Sequence, residues 1–445
     1  MREASTRSAA RAALVAVAGI LVWGASSAQA ADLGGNCCAD LEERIAELEA
    51  TTARKGNRKV SLTISGWVNE AVFFWDDGTE SNVYVGTNDL ERSRVKFSGE
   101  AKISDDWSAG YTLEIGIRGA NSSAFSQTST ASVNSLDVRK SNWFLKSKTF
   151  GKLTVGQEGT ATYHLLDDAD IANTRNYSDA EAATVAMAQF GLRVGGSAVN
   201  GLQWRDLTQG FNNDTPGQDG RRNIVRYDTP AFAGFAATAA WGEDDIWDVA
   251  LTYKGEVGDF KLLGRIGYGE STDSVGAACS SVTPLDCKWW GVAGSIMHAP
   301  TGLYVYGGYG EQQVDDEDGL VPAGALVAAD GTDTTWFIQA GIEQKFVPLG
   351  KTTIFGEYRK DDAGSNLTKS TQNTLPPNPV ADPAYYIQSS DIDFWAAGVV
   401  QNIESAAMDL YVIYRHAEGD FTNGQGVKSD LDDFDMVISG ARIQF

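Results

Sequence analysis

The residues able to do chemistry in this chain are few and scattered. His164, His298 and His416 are its three histidines, and their wide spacing forms no metal-binding motif. His164 stands near Asp167 and Asp168, as in a hydrolase, yet no G-x-S-x-G surrounds a nucleophile. Gly350-Lys351-Thr352 has the end of a phosphate loop without its upstream glycine, because position 345 is Lys345. The run Asp315-Asp316-Glu317-Asp318 lacks EF-hand spacing and reads as a solvated outer loop. No catalytic residue, metal or cofactor is therefore expected, and the chain is read as a non-enzyme. Cys279 and Cys287 bracket a Ser/Thr/Pro segment and are candidates for one loop disulfide, whereas the adjacent Cys37 and Cys38 are poorly placed to bond each other. Four cysteines without a C-x-x-C pair agree with an oxidising compartment.

What remains is charge at alternate positions. Arg92, Arg94 and Lys96 share the polar face of one segment, and Arg139, Arg222 and Arg226 join them from neighbouring segments. The stretch 159–221 carries His164, Asp167, Asp168, Asp170, Asp179 and Glu181. Charged rings of this kind set ion preference when they line a passage. The competing reading is that the arginines hydrate a wall or pair with loop carboxylates, and that the loop acids are simply solvated.

The elements that must position these charges are strands. The chain has 445 residues with 12 Trp, 15 Tyr and 18 Phe, too aromatic for disorder. Its Lys+Arg of 36 against Asp+Glu of 59, a net −23, excludes a nucleic-acid partner bound through bulk charge. No internal run approaches the roughly 20 apolar residues of a membrane helix. From Val60 onward the period is 2: Trp247, Val249, Leu251 and Tyr253 alternate with Asp248, Ala250, Thr252 and Lys254. Candidate strands are 59–75, 92–104, 107–119, 138–148, 152–158, 222–229, 233–242, 246–254, 259–269, 288–297, 302–311, 334–346, 352–360, 391–402, 408–417 and 434–445. They are even in number, and their connections alternate short and long, with 243–245 breaking the pattern. A soluble sandwich has no reason to sort loops by parity, whereas an outer-membrane barrel has short periplasmic turns and long outer loops. The fold expected is all-β: a transmembrane antiparallel 16-stranded barrel, closed because an open sheet edge cannot sit in hydrocarbon, and wide enough for an aqueous channel.

Two segments precede the barrel. Residues 1–30 read as a signal peptide, with Arg2, Arg7 and Arg11, an apolar stretch and Ala28-Gln29-Ala30 as cleavage site. In 31–58, Leu41, Ile45 and Leu48 keep coiled-coil spacing, giving a short helix that needs a partner and reads as an oligomerisation stub. A solvated helix or a linker is the other reading. The barrel domain is then 59–445.

Val60–Trp75 (VSLTISGWVNEAVFFW), Phe150–Glu158 (FGKLTVGQE) before the longest connection, and the ending Gly440-Ala441-Arg442-Ile443-Gln444-Phe445 together resemble the alphaproteobacterial outer-membrane porins, which are general diffusion porins. The resemblance implies a homotrimer of barrels. It also implies that 159–221 folds into each lumen as a constriction loop, its acids facing the basic wall. Phe445 and Ile443, with Ala441 and Val437, resemble the signal read by the outer-membrane assembly machinery, from which Ser439 departs. Glu70 falls on the otherwise apolar face of the first strand and is expected at the subunit interface, since a lipid-facing carboxylate is costly. The expected function is a water-filled channel for passive diffusion of small hydrophilic solutes and ions in the outer membrane of a Gram-negative bacterium, with the coil in the periplasm. A substrate-selective channel, or an envelope protein tethering the outer membrane to peptidoglycan through the coil, are the alternatives. The acidic outer loops are expected to face lipopolysaccharide head groups and share divalent cations with them.

Overall fold

The computed structural model describes residues 59–130, 134–174, 187–207, 215–242, 245–272, 287–314, 332–363 and 387–445. The chain divides into two units, Met1–Lys59 and Val60–Phe445. The signal peptide, the coil residues Leu41, Ile45 and Leu48, and Cys37, Cys38, Asp179, Glu181, Cys279 and Asp315–Asp318 lie outside the described residues.

Sixteen antiparallel strands close into a barrel. They are β1 (Thr63–Asp76), β3 (Arg94–Lys102), β4 (Trp107–Arg118), β5 (Ser135–Ser147), β6 (Gly151–Gly159), β9 (Arg221–Asp228), β10 (Phe235–Gly242) and β11 (Ile246–Val257), followed by β12 (Phe260–Ser271), β13 (Cys287–His298), β14 (Leu303–Val314), β15 (Thr332–Val347), β16 (Gly350–Ala363), β17 (Ile387–Ile403), β18 (Met408–Asn423) and β20 (Phe434–Gln444). Each corresponds to one strand expected from the alternation. Closure is made by β1 on β20, from Trp67 opposite Gln444 to Asp76 opposite Asp435, and Gly66 and Phe445 exchange a pair of 3.0 Å backbone hydrogen bonds beside it. Every strand thus has a neighbour on each side, which is what hydrocarbon demands of a backbone that has no water to bond. No helix among the described residues is long and apolar enough to cross a membrane.

The period of 2 sorts side chains between the two faces. On β11, Trp247, Val249 and Leu251 point outward and are exposed, while Ile246, Asp248 and Ala250 point inward and are buried. Outward Ile64, Val68, Ile266, Val292, Ile296, Val305, Ile338, Ile354 and Val399 continue an apolar belt around the barrel. Such an area is far more than a soluble surface exposes, and it matches a lipid-facing band. Aromatic pairs border it at both ends. Trp247–Tyr268, Trp290–Tyr309, Trp336–Tyr358 and Tyr358–Trp395 sit toward the long connections, and Phe235–Tyr253 and Trp107–Phe150 toward the short turns.

Four further, shorter strands are described, of which the first and last in chain order extend the barrel sheet and the other two do not. β2 (Ser81–Thr87) folds back on β1, and β19 (Lys428–Asp430) on β18, both in stretches the alternation left as loops. β7 (Gly191–Val194) and β8 (Ser197–Gln203) make a hairpin within the longest connection. The strands β16, β17 and β18 also run further than their apolar alternation, because above the aromatic border their outward positions carry water-soluble charge, as in the Lys360–Asp391 pair at 2.7 Å.

The lumen departs from a uniformly polar interior. Inward Phe73 and Trp75 of β1, Ile392 and Phe394 of β17, Ile413 of β18 and Phe434, Met436 and Ile438 of β20 are buried against Phe190, Leu192, Leu202, Trp204 and Leu207 of the long connection. One side of the barrel is therefore filled by a dry core, where the sequence expectation was water.

Candidate functional site

The described residues of the connection between β6 and β9 are held inside the barrel by a series of specific contacts. Asp248, fully buried on β11, accepts hydrogen bonds from Ala161 N at 2.9 Å, Thr162 N at 2.6 Å and Thr162 Oγ1 at 2.7 Å. Trp289 Nε1 donates to Thr162 Oγ1 at 3.0 Å, and Tyr306 Oη to the Leu166 carbonyl at 2.9 Å. The wall is shaved to receive it. A Cβ at Gly291 would lie 2.7 Å from the Gly217 carbonyl oxygen, and one at Gly310 would collide with the Pro216 carbonyl. These glycines serve close backbone approach in the strand interior.

The β7–β8 hairpin is latched at the outer mouth. Arg193 Nε contacts Asp77 at 2.5 Å and its other end pairs with Glu80, while Asp432 accepts from Gly195 N at 3.0 Å and Gly196 N at 2.6 Å. Burial pushes the Asp77 carboxyl up, but hydrogen bonds from Arg193, Glu80, Gln127 and Thr79 outweigh it and hold the group below the ordinary carboxylate range.

Against the opposite wall a cavity of about 370 Å³ stays open. Its lining includes Arg94, Arg139, Lys140, Lys152, Arg226 and Arg265 as cations and Glu91, Glu114, Glu158, Asp168 and Asp228 as acids, with Trp67, Thr154, Tyr163 and His164 between them. Glu114 is shared by Arg94 at 3.1 Å and Arg139 at 2.9 Å, and Arg94 also reaches Glu91 at 2.5 Å while lying over the Trp67 ring at 4.3 Å. Lys140 pairs with Glu158 at 2.5 Å, Arg226 with Asp228 at 2.8 Å and Arg265 with Asp168 at 3.1 Å. Lys152 stands over the Phe144 ring at 4.7 Å, and among the described residues no carboxylate is in ion-pair contact with it.

The expected site residues fall in several places. Arg94, Arg139 and Arg226 line the cavity, and Asp168 faces them from the loop. Arg92 lies outside it, in a cluster with Asp89 at 3.1 Å and Asp137 at 3.3 Å that Arg118 shares. Lys96 is half-buried opposite Glu114 and is not a lining residue. Arg222 is buried with Asp219 at 2.8 Å. Asp167 is buried against His164 Nδ1 at 2.6 Å, and Asp170 accepts from Ala172 N and Thr174 Oγ1 at 2.8 Å, so both serve the loop's own packing. Cys287 is buried and disulfide-bonded. Phe445 and Ile443 point outward and are exposed. Glu70 is exposed on the outer face, where its Oε1 accepts from Thr87 Oγ1 at 2.9 Å and Ser93 Oγ at 3.1 Å.

Sequence reasoning missed Lys140 for a definite reason. The β4–β5 ladder slips at Glu114/Ile115, so that Ile115 pairs with Val138 and Glu114 with Lys140, leaving Arg139 as an extra residue. This bulge turns two consecutive cations into the lumen, which strict alternation forbids. Lys152 and Glu158 were legible from alternation within FGKLTVGQE, whereas Tyr163 carried no sequence signal. The fold also brings His416 beside Glu418 and Asp433, with ligand atoms within 4.8 Å on the outer rim, though these lie far apart or unmarked in sequence.

A closed barrel with a lipid belt outside and a charged, loop-narrowed lumen inside defines a transmembrane channel. The family model for Gram-negative porins matches residues 10–423, and the chain belongs to that family. It is an outer-membrane channel for passive diffusion of small solutes. Its fold is similar to that of an anion-selective porin from Comamonas acidovorans, at 16% identity over 87% of this chain and 100% of that chain with a TM-score of 0.55. It is also similar to the outer membrane protein OmpT of Vibrio cholerae, at 16% identity, 88% and 99% coverage and a TM-score of 0.49. The outer membrane channel DcaP of Acinetobacter baumannii is similar at 12% identity, 88% and 100% coverage and a TM-score of 0.48. No curated protein matches the sequence significantly.

Proposed function

We propose that this porin is a general diffusion channel of the alphaproteobacterial type with a modest preference for anions, and that it carries out no catalysis. The observation that carries the reading is the cavity wall, where cations outnumber acids and the acids are held in ion pairs while Lys152, over the Phe144 ring, has no carboxylate in ion-pair contact among the described residues. A field of fixed charge across a narrow, low-dielectric passage raises the local concentration of the opposite ion. The acidic excess of the whole chain does not oppose this, because Debye screening confines distant loop charge to about 8–10 Å.

The channel works as a homotrimer in this proposal, with Glu70 near the subunit interface and held by Thr87 and Ser93. The N-terminal coil lies in the periplasm, where it assists oligomerisation or touches peptidoglycan. Phe445 and Ile443 present the signal for the assembly machinery, and the outer rim meets lipopolysaccharide. Reconstitution in planar bilayers tests the central reading. Stepwise conductance is expected, with a reversal potential in a salt gradient on the anion side, and Lys152→Glu is expected to move that potential toward cations. An unchanged potential in the variant would remove the cavity wall from the selectivity determinant.

A further inference from the structure

Tyr163 sits where the wall and the loop meet. Its Oη accepts a hydrogen bond from Arg221 Nη1 at 2.6 Å and a longer one from Arg139 Nη2 at 3.4 Å. The Arg221 guanidinium also lies 5.4 Å from the centre of the Tyr163 ring, and the His164 ring packs on Tyr163 at 3.8 Å. The following residue, His164, is held at φ 52°, a conformation uncommon outside glycine, and its carbonyl is gripped by Arg265. The phenol is thus fixed by a constrained backbone and lines the charged cavity. Two guanidinium donors converging on one phenol oxygen favour its ionised form over its neutral form.

We propose that Tyr163 is a selectivity-determining residue of the constriction that reads pH: as a neutral phenol it leaves the net positive field of the surrounding wall to attract anions, and as a phenolate it cancels part of that field. The inference rests on the diffusion-channel reading above. The groups that face the phenol are Arg139 on β5, Arg221 on β9, Arg94 on β3, Glu91 in the 3₁₀ turn Asp89–Glu91 and its own neighbour His164. Glu91 alone among them opposes ionisation, and it is engaged by Arg94 at 2.5 Å. Burial pushes the phenol up, but the positive field of His164, Arg221 and Arg139 prevails and brings it down to about 8. The sign follows directly. Below that pH the phenol is neutral and anion preference is full, and above it each pore gains one negative charge and the preference falls.

The test is reversal potential across a salt gradient, recorded on the full-length reconstituted porin from pH 6 to pH 10 at constant ionic strength. The expected result is a fall in anion-to-cation permeability centred near pH 8 for the natural protein and a flat profile over the same range for Tyr163→Phe. An absorbance titration of phenolate near 295 nm is expected to lose one low-pH step in the same variant. Open channels with the same step in Tyr163→Phe, or no step in the natural protein between pH 7 and pH 9.5, would overturn the proposal. Loss of all conductance in the natural protein would instead overturn the channel reading on which it rests.

Discussion

Arg94, Glu114 and Arg139 form a buried trio in which one carboxylate serves two guanidiniums. Removing the shared partner leaves Arg139 buried without its ion pair while Arg94 keeps Glu91, so Glu114→Ala is expected to cost about 3–5 kcal/mol by the usual penalty for breaking a buried pair, read as a lower melting temperature of the purified barrel. Lys152→Gln is expected to act differently, with a change in ion preference and a smaller loss of stability, because among the described residues no carboxylate is in ion-pair contact with Lys152. If both variants shifted melting alike, the distinction between structural and permeation charge would fail. The same contrast explains what was legible at this scale. Arg94, Arg139 and Arg226 announced themselves by alternation. Arg222 shared their pattern, yet it is buried with Asp219, because parity reports which face a residue takes and not which neighbour waits there. Lys140 was hidden by a slip of one residue in the ladder.

At the scale of elements, the sixteen strands and the parity of their connections could be read from the period of 2, whereas β2, β19 and the β7–β8 hairpin could not. Those four are short, with too few residues for a period of 2 to stand out from a loop. The inward aromatics Phe73 and Trp75 were unreadable for a related cause: their apolar partners, Phe125 and Phe190, arrive from connections distant in sequence. The hairpin latch carries its own prediction. Asp77 is depressed below its unfolded value, so its contribution is complete at neutral pH and fades as pH falls through the folded value, below the reference of about 4. The natural channel is expected to give a noisier current in acid, and Arg193→Ala is expected to reproduce that noise at neutral pH. A quiet channel in both conditions would show that the apolar core alone keeps the hairpin in place.

For the whole molecule, an exterior of lipid-facing aliphatics, bordered by aromatics, and an interior divided between a dry core and a charged cavity account together for a composition that is rich in glycine and aromatics yet polar on average. The outward Glu70, bound to Thr87 and Ser93, belongs to this scale because its cost depends on what covers it. Glu70→Leu is expected to weaken trimers, measured as a lower temperature at which the oligomer band dissociates in semi-native electrophoresis, by several degrees. Unchanged heat resistance would assign the carboxylate to the lipid or lipopolysaccharide boundary.

Gly291 and Gly310 act on the inner wall like shims of zero thickness. The width left for solute depends on how closely the loop lies against them, yet neither lines the cavity. A single added methyl or larger group there moves the loop toward the opposite wall or out of the barrel, so the aperture is set partly from behind. A bacterium under selection by a harmful solute can therefore retune what crosses its envelope without altering any charge that the solute meets.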